Sequence, residues 1–174
     1  MKVCYEEKTF ESYFNNELDN KSSIYFPLGQ VQEGVIGADS VSYSTHRRLW
    51  QKLGYPWFRF HSPFSGVDFK EMACEMEHFL TETVDNIPPI KVNLLFQYKR
   101  AEYLKLTTSK QWSSWTQPYY RYSINQEQQK LLDNLESKFG TQVLILYAAP
   151  AAVKNIDELV ELKRKNKIID NTNF

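Results

Sequence analysis

The chain has 174 residues, with 21 lysines and arginines against 21 aspartates and glutamates, so its formal net charge is zero and we expect residues 1–174 to form a single domain. Hydrophobic residues make up 42% and charged residues 24%, which excludes wholesale disorder, and no apolar run is long enough to span a membrane. The N-terminus lacks an apolar signal segment, and Cys4 and Cys74 have no cysteine neighbours, so the sequence favours a reducing cytoplasm.

The first half of the chain predicts helices around one short strand. Aromatic residues at helical spacing predict a helix over 7–19, and the glycines of 29–37 require a tight turn or a close backbone approach. We expect a strand over 38–43, then a helix over 45–53 capped by Ser44 or Thr45. Asp68 and Glu71 form a capping box for an amphipathic helix over 69–84.

The second half alternates between strands and helices. Residues 92–99 are mostly apolar with a polar end, and residues 143–147 are an apolar run. The two segments predict buried, neighbouring, parallel strands, and a helix over 125–139 should join them in a right-handed crossover. Residues 100–124 form a long aromatic connection, and Asn155 caps a helix over 155–165. A last short strand is predicted over 168–170. The order predicts an α/β fold with a central mixed sheet flanked by helices.

Common catalytic motifs are absent from the sequence, including the phosphate-binding and zinc-protease signatures. His46, His61 and His78 are isolated, and Cys74 is best explained as a small helix residue. One constellation remains, Glu33, Asp39 and the Gln97-Tyr98-Lys99 segment at the end of a strand. Oxygens of Asp39, the Gln97 side chain and the Tyr98 backbone are of the kind that Mg²⁺ prefers as ligands. Lys99 would orient or deprotonate an attacking water and balance the negative charge of a phosphate.

With Gly37-Ala38-Asp39 and Phe96-Gln97-Tyr98-Lys99-Arg100, the chain resembles the PD-(D/E)XK nuclease superfamily, most closely its Mrr-type restriction branch. In that superfamily the strand with the final lysine is followed by a helix, a buried strand, another helix and a final strand. The resemblance implies a restriction-endonuclease-like fold that hydrolyses DNA with Mg²⁺ or Mn²⁺, in a restriction or phage-defence setting. Asp39, Gln97, Lys99 and Glu33 would be catalytic.

Three features depart from the superfamily. A short hairpin usually joins its aspartate and lysine strands, whereas here residues 40–96 imply a helical and aromatic insertion. Its helical glutamate lies well before the aspartate, so Glu11 or Glu17 could take the place of Glu33. Gln97 replaces the more usual glutamate, which favours an alternative, a catalytically inactive relative that binds a partner through its aromatic loops. Gln97 and Lys99 could also be the polar end of a buried strand and nothing more.

For the nuclease hypothesis, the candidate DNA contacts are Arg100, Arg121 and the basic group Lys163, Arg164 and Lys165. The basic group has a second explanation, because the C-terminus of a helix favours cations. A homodimer or a partner protein is compatible with the resemblance. The chain ends directly after a predicted strand, so the sequence leaves open that the natural protein continues.

Overall fold

A computed structural model describes residues 5–55, 62–76 and 86–174. The helices in these ranges are α1 (Glu7–Asp19), α2 (Gln30–Ile36), α3 (Arg47–Lys52), α4 (Phe69–Met76), α5 (Trp112–Trp115), α6 (Gln126–Phe139) and α7 (Ile156–Arg164). The strands are β1 (Ile24–Pro27), β2 (Ser40–Tyr43), β3 (Val67–Asp68), β4 (Lys91–Val92), β5 (Leu94–Tyr98), β6 (Glu102–Leu104), β7 (Tyr119–Arg121), β8 (Leu144–Pro150) and β9 (Thr172–Asn173). In the described ranges, no helix is long and apolar enough to cross a membrane.

The main sheet has five strands in the order β1-β2-β5-β8-β9. β5 and β8 are parallel, whereas the other neighbouring pairs are antiparallel, so the sheet is mixed. The prediction of an α/β fold with a mixed sheet is confirmed at this level. Two short two-stranded sheets, β3-β4 and β6-β7, lie outside the main sheet.

The central pair of strands forms as the two apolar runs predict. Leu94 lies opposite Leu144 and Tyr98 opposite Ala148 in a parallel register, with α6 between the two strands in sequence. All five residues of β5 are buried. The pairing confirms that the two runs are adjacent, parallel strands. The predicted burial holds for β5 but not for the whole second run, because Leu144–Tyr147 of β8 are only partly buried.

Helices cover both faces of the sheet. Alternate side chains of β5 point to opposite faces, so each helical layer packs against a different set of them. Phe96 packs with residues of α1, α3 and α7, including Phe14 and Leu159. Leu95 packs on the other side with α2, α4 and α6, including Met72 and Leu135. The two apolar clusters hold the sheet between two helical layers.

Several elements differ from the sequence predictions. The glycines of 29–37 predicted a tight turn or a close backbone approach, and residues 30–36 form α2, with Gly29 and Gly37 at its two ends and only Gly34 inside. The close approach occurs at Gly37. His46, not Ser44 or Thr45, caps α3 by accepting a hydrogen bond from the backbone N–H of Leu49. Residues 100–124 contain the β6-β7 hairpin. The second half of the predicted 69–84 helix falls outside the described residues, as do Cys4, His61 and His78.

The predicted strand over 168–170 is wrong, since Ile169–Asn171 is a 3₁₀ turn. The buried Glu17 carboxylate accepts hydrogen bonds from the backbone N–H groups of Ile168 and Ile169. A carboxylate therefore satisfies the donors that a strand partner would otherwise satisfy. The last strand, β9, follows at Thr172.

Gly37 lies where the chain passes closest to α6. Its φ of 82° is left-handed, and a Cβ there would lie 3.0 Å from the Leu131 Cβ and 3.2 Å from the Gln128 carbonyl. We expect Gly37→Ala to lower the free energy of unfolding by about 1–3 kcal/mol. Gly34→Ala, the matched control with nothing within 4 Å, should raise it by about 0.5–1 kcal/mol. Urea unfolding of both variants tests this, and a Gly37→Ala protein as stable as the Gly34→Ala protein would contradict it.

Candidate active site

Three neighbouring strands bring the candidate residues to one edge of the sheet. Asp39 immediately precedes β2, and its backbone N–H donates to the Phe96 carbonyl 2.9 Å away on β5. Gln97 lies opposite Tyr147 in the β5-β8 register. Asp39 and Gln97, 58 positions apart in sequence, therefore meet at the point where β5 ends and β2 begins.

The Asp39 carboxylate is held by two donors from β5. Its Oδ2 accepts a 2.7 Å hydrogen bond from Gln97 Nε2 and a 2.5 Å hydrogen bond from the Tyr98 backbone N–H. Charge-assisted hydrogen bonds of this kind are stronger than neutral ones. The two donors fix the carboxylate against the end of β5.

The Gln97 side chain has an acceptor that the fold does not use. The residue is only 3% exposed, and its Oε1 is buried without a hydrogen-bond donor in the described part of the chain. Its Nε2, already bound to Asp39, also makes a 3.4 Å contact with the Tyr98 carbonyl. A buried, unsatisfied acceptor costs about 1–3 kcal/mol, so a ligand that supplies positive charge would stabilise it.

Lys99 lies beyond Gln97, where the chain leaves β5. Its Nζ is 3.1 Å from Gln128 Oε1 on α6 and 5.9 Å from the centre of the Tyr147 ring. Tyr147 is itself anchored, because its hydroxyl donates to Gln129 Oε1 at 2.6 Å. The first turn of α6 and the neighbouring strand thus position the ammonium group, which stays partly exposed.

Two of the three candidate glutamates lie near Asp39. Glu33 on α2 and Glu11 on α1 both raise the pKa of Asp39 through their negative charge. Glu17 lies elsewhere, bound to Lys21 and to the backbone of the 3₁₀ turn. Of the two alternatives that the sequence left open, Glu11 is therefore the one that accompanies Glu33 at the site.

Lys8 joins this group of charges, although no sequence motif points to it. Its Nζ bonds Glu11 at 2.7 Å, and this hydrogen bond is the main cause of its raised pKa. The charges of Glu33 and Asp39 raise that pKa further. Lys8 and Gln128 both extend to the site from helices. They lie far from Asp39 and Gln97 in the sequence, so no sequence pattern predicts that they are neighbours in the fold.

Burial is the main influence on the ionisation of Asp39. It raises the pKa of the carboxyl group from 3.8 to about 6; the Tyr98 N–H and the Lys99 ammonium oppose the increase, and the Glu33 and Glu11 carboxylates add to it. Burial also raises the pKa of Glu33. Near neutral pH the site therefore holds negative charge that the fold alone does not fully stabilise.

We expect Asp39→Asn to stabilise the protein at high pH. A pKa raised on folding makes the wild type lose stability as the pH rises from about 4 through 6, and the loss is complete above that range. At 1.36 kcal/mol for each pKa unit, the gain of the variant at pH 8 has a ceiling of about 3 kcal/mol and should vanish near pH 3. Thermal unfolding across pH measures it, with the exposed Asp170→Asn as control. A gain that does not grow with pH would contradict the prediction.

The five candidate DNA-binding cations all have partners within the protein. Arg100 bonds the Tyr5 carbonyl and lies 3.6 Å from Glu6, and Arg121 pairs with Glu102 at 3.2 Å. Lys163 bonds Asn16 of α1, and both Arg164 and Lys165 pair with Glu161. These contacts give each cation a structural role, so a role in binding DNA stays a prediction.

Within the described ranges, no three histidine, cysteine, aspartate or glutamate side chains form a group that could hold a metal ion. Comparison with known proteins finds no matching family model, no matching curated protein and no matching solved structure.

Proposed function

We propose that the protein is a metal-dependent nuclease, or a nuclease domain, that hydrolyses DNA phosphodiester bonds with Mg²⁺ or Mn²⁺. The observation that carries the proposal is the contact between Asp39 and Gln97 at a sheet edge, beside a buried Gln97 oxygen without a donor in the described residues. That oxygen fits a divalent cation, because hard cations prefer oxygen ligands.

The proposed donors are the Asp39 carboxylate, the Gln97 side-chain oxygen and the Tyr98 carbonyl. When bound, the cation would supply the positive charge that phosphodiester hydrolysis needs. Lys99 would neutralise phosphate charge and orient the attacking water, and Gln128 would hold its ammonium group in place. Glu11 or Glu33 would add negative charge near the cation and accept hydrogen bonds from its water ligands.

The order of the elements supports the resemblance to the PD-(D/E)XK superfamily. After the intervening β6-α5-β7 segment, β5 is followed by α6, β8, α7 and the short β9, which apart from that segment is the succession the resemblance implies. β2 and β5 are antiparallel neighbours, as strands joined by a hairpin would be. The insertion between them, residues 44–93, leaves that pairing intact.

Hydrolysis of supercoiled plasmid by the purified chain, with Mn²⁺ and with EDTA, tests the proposal. We expect nicking that requires Mn²⁺ and is lost in Asp39→Asn, a variant that should fold at least as stably as the wild type. Asp170→Asn is again the control and should retain activity. No nicking by the folded wild type in Mn²⁺, or equal nicking by Asp39→Asn, would contradict the proposal.

A second candidate function is a catalytically inactive relative of this fold that binds a partner. Two observations favour it: Gln97 turns its amide nitrogen, not its oxygen, to Asp39, and the candidate DNA-binding cations pair with the protein's own groups. A hydrogen-bonded Asp39–Gln97 pair can be purely structural. Metal titration separates the two candidates, since the inactive module should not bind Mn²⁺ through Asp39.

A further inference from the structure

Residues 102–124 form an aromatic segment, here called the arm, which comprises β6, α5, β7 and the residues up to Ile124. The arm exposes large apolar side chains, among them Trp115 at 54% and Leu106 at 61%. Tyr122 is also exposed, at 37%. Planar side chains exposed in this way offer π faces that the fold itself does not cover.

The arm has its own internal support, so its exposed rings are held in place. β6 and β7 pair antiparallel from Glu102–Arg121 to Leu104–Tyr119. The rings of Tyr103 and Tyr120 lie 4.8 Å apart, and the Trp115 ring is stacked on that of Tyr119, which is buried. Trp115 is thus fixed on its inner face, while much of its surface remains open.

The charge of the arm differs from that of the whole chain. Its only carboxylate, Glu102, pairs with Arg121, whereas Lys105 and Lys110 are exposed and have no ion pair within the described residues. The arm therefore carries a net charge of +2 in a protein whose formal net charge is zero. A positive surface with exposed aromatic rings complements a phosphate backbone with free bases better than it complements an apolar protein face.

The base of the arm lies beside the candidate active site. The Tyr122 ring lies 6.0 Å from the Tyr147 ring, and Lys99 Nζ lies 5.9 Å from the same Tyr147 ring. A nucleic-acid strand in contact with the Tyr122 ring would therefore be separated from Lys99 by one aromatic ring, that of Tyr147. The three residue steps from Tyr119 to Tyr122 span about 10 Å of extended chain, room for a few nucleotides.

We propose that the arm binds an unpaired nucleic-acid strand, with bases stacked on Trp115 and Tyr122 and phosphates near Lys105 and Lys110. Duplex stacking buries the base faces, so the arm favours single-stranded or locally opened substrate. This inference deepens the proposed function and rests on it for the choice of substrate, but the binding itself requires neither metal nor hydrolysis.

Fluorescence anisotropy in EDTA tests the inference, with labelled 20-nucleotide single-stranded DNA, the RNA of the same sequence and the DNA duplex as probes. We expect tighter binding of single strands than of duplex, about tenfold weaker binding by Trp115→Ala, and recovery in Trp115→Phe, which keeps a ring for stacking. The DNA and RNA probes show which sugar the arm prefers. Ile156→Ala, an exposed apolar change on α7, is the control and should bind as the wild type does.

Two further variants keep the test decisive. Tyr122→Ala should also weaken binding, which covers the case of an unfolded Trp115→Ala protein. Lys105→Gln combined with Lys110→Gln should reduce the slope of log affinity against log salt by about 1.4, or 0.7 for each lost phosphate contact.

Equal affinity of the ring variants and the wild type, or a preference for duplex, would overturn the inference. So would the absence of all nucleic-acid binding together with self-association that Trp115→Ala abolishes, because the arm would then be a protein interface. The two proposals fail separately. Arm-dependent binding without Mn²⁺-dependent hydrolysis removes the nuclease alone, and hydrolysis with arm-independent binding removes the role of the arm alone.

Discussion

Lys99→Ala should reduce Mn²⁺-dependent hydrolysis by a factor of about 10²–10⁴ while leaving the fold intact. Lys99 contributes a partly exposed ammonium group at the end of β5, and its only hydrogen bond to a side chain in the described residues is the 3.1 Å contact with Gln128. Loss of that contact should change the free energy of unfolding by less than about 1 kcal/mol, as is usual for surface substitutions. A large loss of activity with little loss of stability would assign Lys99 to the chemistry.

Plasmid nicking and thermal unfolding of the same preparation measure both effects. Lys130→Ala is the matched control, because Lys130 is an exposed lysine of α6 that pairs with its helix neighbour Glu127. We expect the control to nick plasmid at the wild-type rate. A pure Lys99→Ala protein that nicks as fast as the control would remove Lys99 from the mechanism.

Gln97→Glu should make the metal-free protein less stable and its binding of divalent cations tighter. The substitution removes the donor of the 2.7 Å hydrogen bond to Asp39 and puts a second carboxylate in its place. Since Asp39 is already hard to ionise, we expect the metal-free variant to be about 2–4 kcal/mol less stable at pH 8. A cation between the two carboxylates should reverse much of this loss.

Thermal unfolding with and without Mn²⁺ tests this pair of effects. The increase in melting temperature on addition of Mn²⁺ should be larger for Gln97→Glu than for the wild type. Gln126→Glu, which adds the same charge at an exposed position of α6, should respond to Mn²⁺ as the wild type does. An equal or smaller Mn²⁺ response in Gln97→Glu would mean that Gln97 does not face a cation.

The central strands were predictable because their signal is local and strong. The apolar runs around Leu95 and Ile145 are continuous, as expected for strands covered on both faces, and Asn125 and Asn155 cap the helices that follow them. Side-chain oxygens of both asparagines accept backbone N–H groups of the first helical turn. In these segments propensity, capping and burial all favour the same structure.

Elements governed by distant contacts were not predictable. α2 contains Gly34 and has a glycine at each end, and Ile36 at its end packs in the apolar cluster beneath it. The turn at Ile169 depends on a carboxylate supplied by Glu17, more than 150 positions earlier. Local sequence shows neither partner. The glycines therefore predicted a tight turn or a close backbone approach in the first case, and the apolar Ile168-Ile169 pair predicted a strand in the second.

The candidate site was predictable only in part. The strand-end positions of Asp39 and Gln97 indicated that they meet, and they do so directly. The sequence did not indicate which glutamate joins them, nor that Gln128 holds Lys99. It also did not indicate that Arg100 and Arg121 have acidic partners, because those pairs form between separate elements of the fold.

Calorimetric titration of the metal-free protein with Mn²⁺, for the wild type and for Asp39→Asn, tests the central claim most directly. The site that we propose predicts saturable Mn²⁺ binding to the wild type and its loss in Asp39→Asn, with both proteins folded under the same conditions. A wild-type protein that binds no Mn²⁺, or an Asp39→Asn protein that binds it equally well, would contradict the claim that Asp39 and Gln97 hold a catalytic metal.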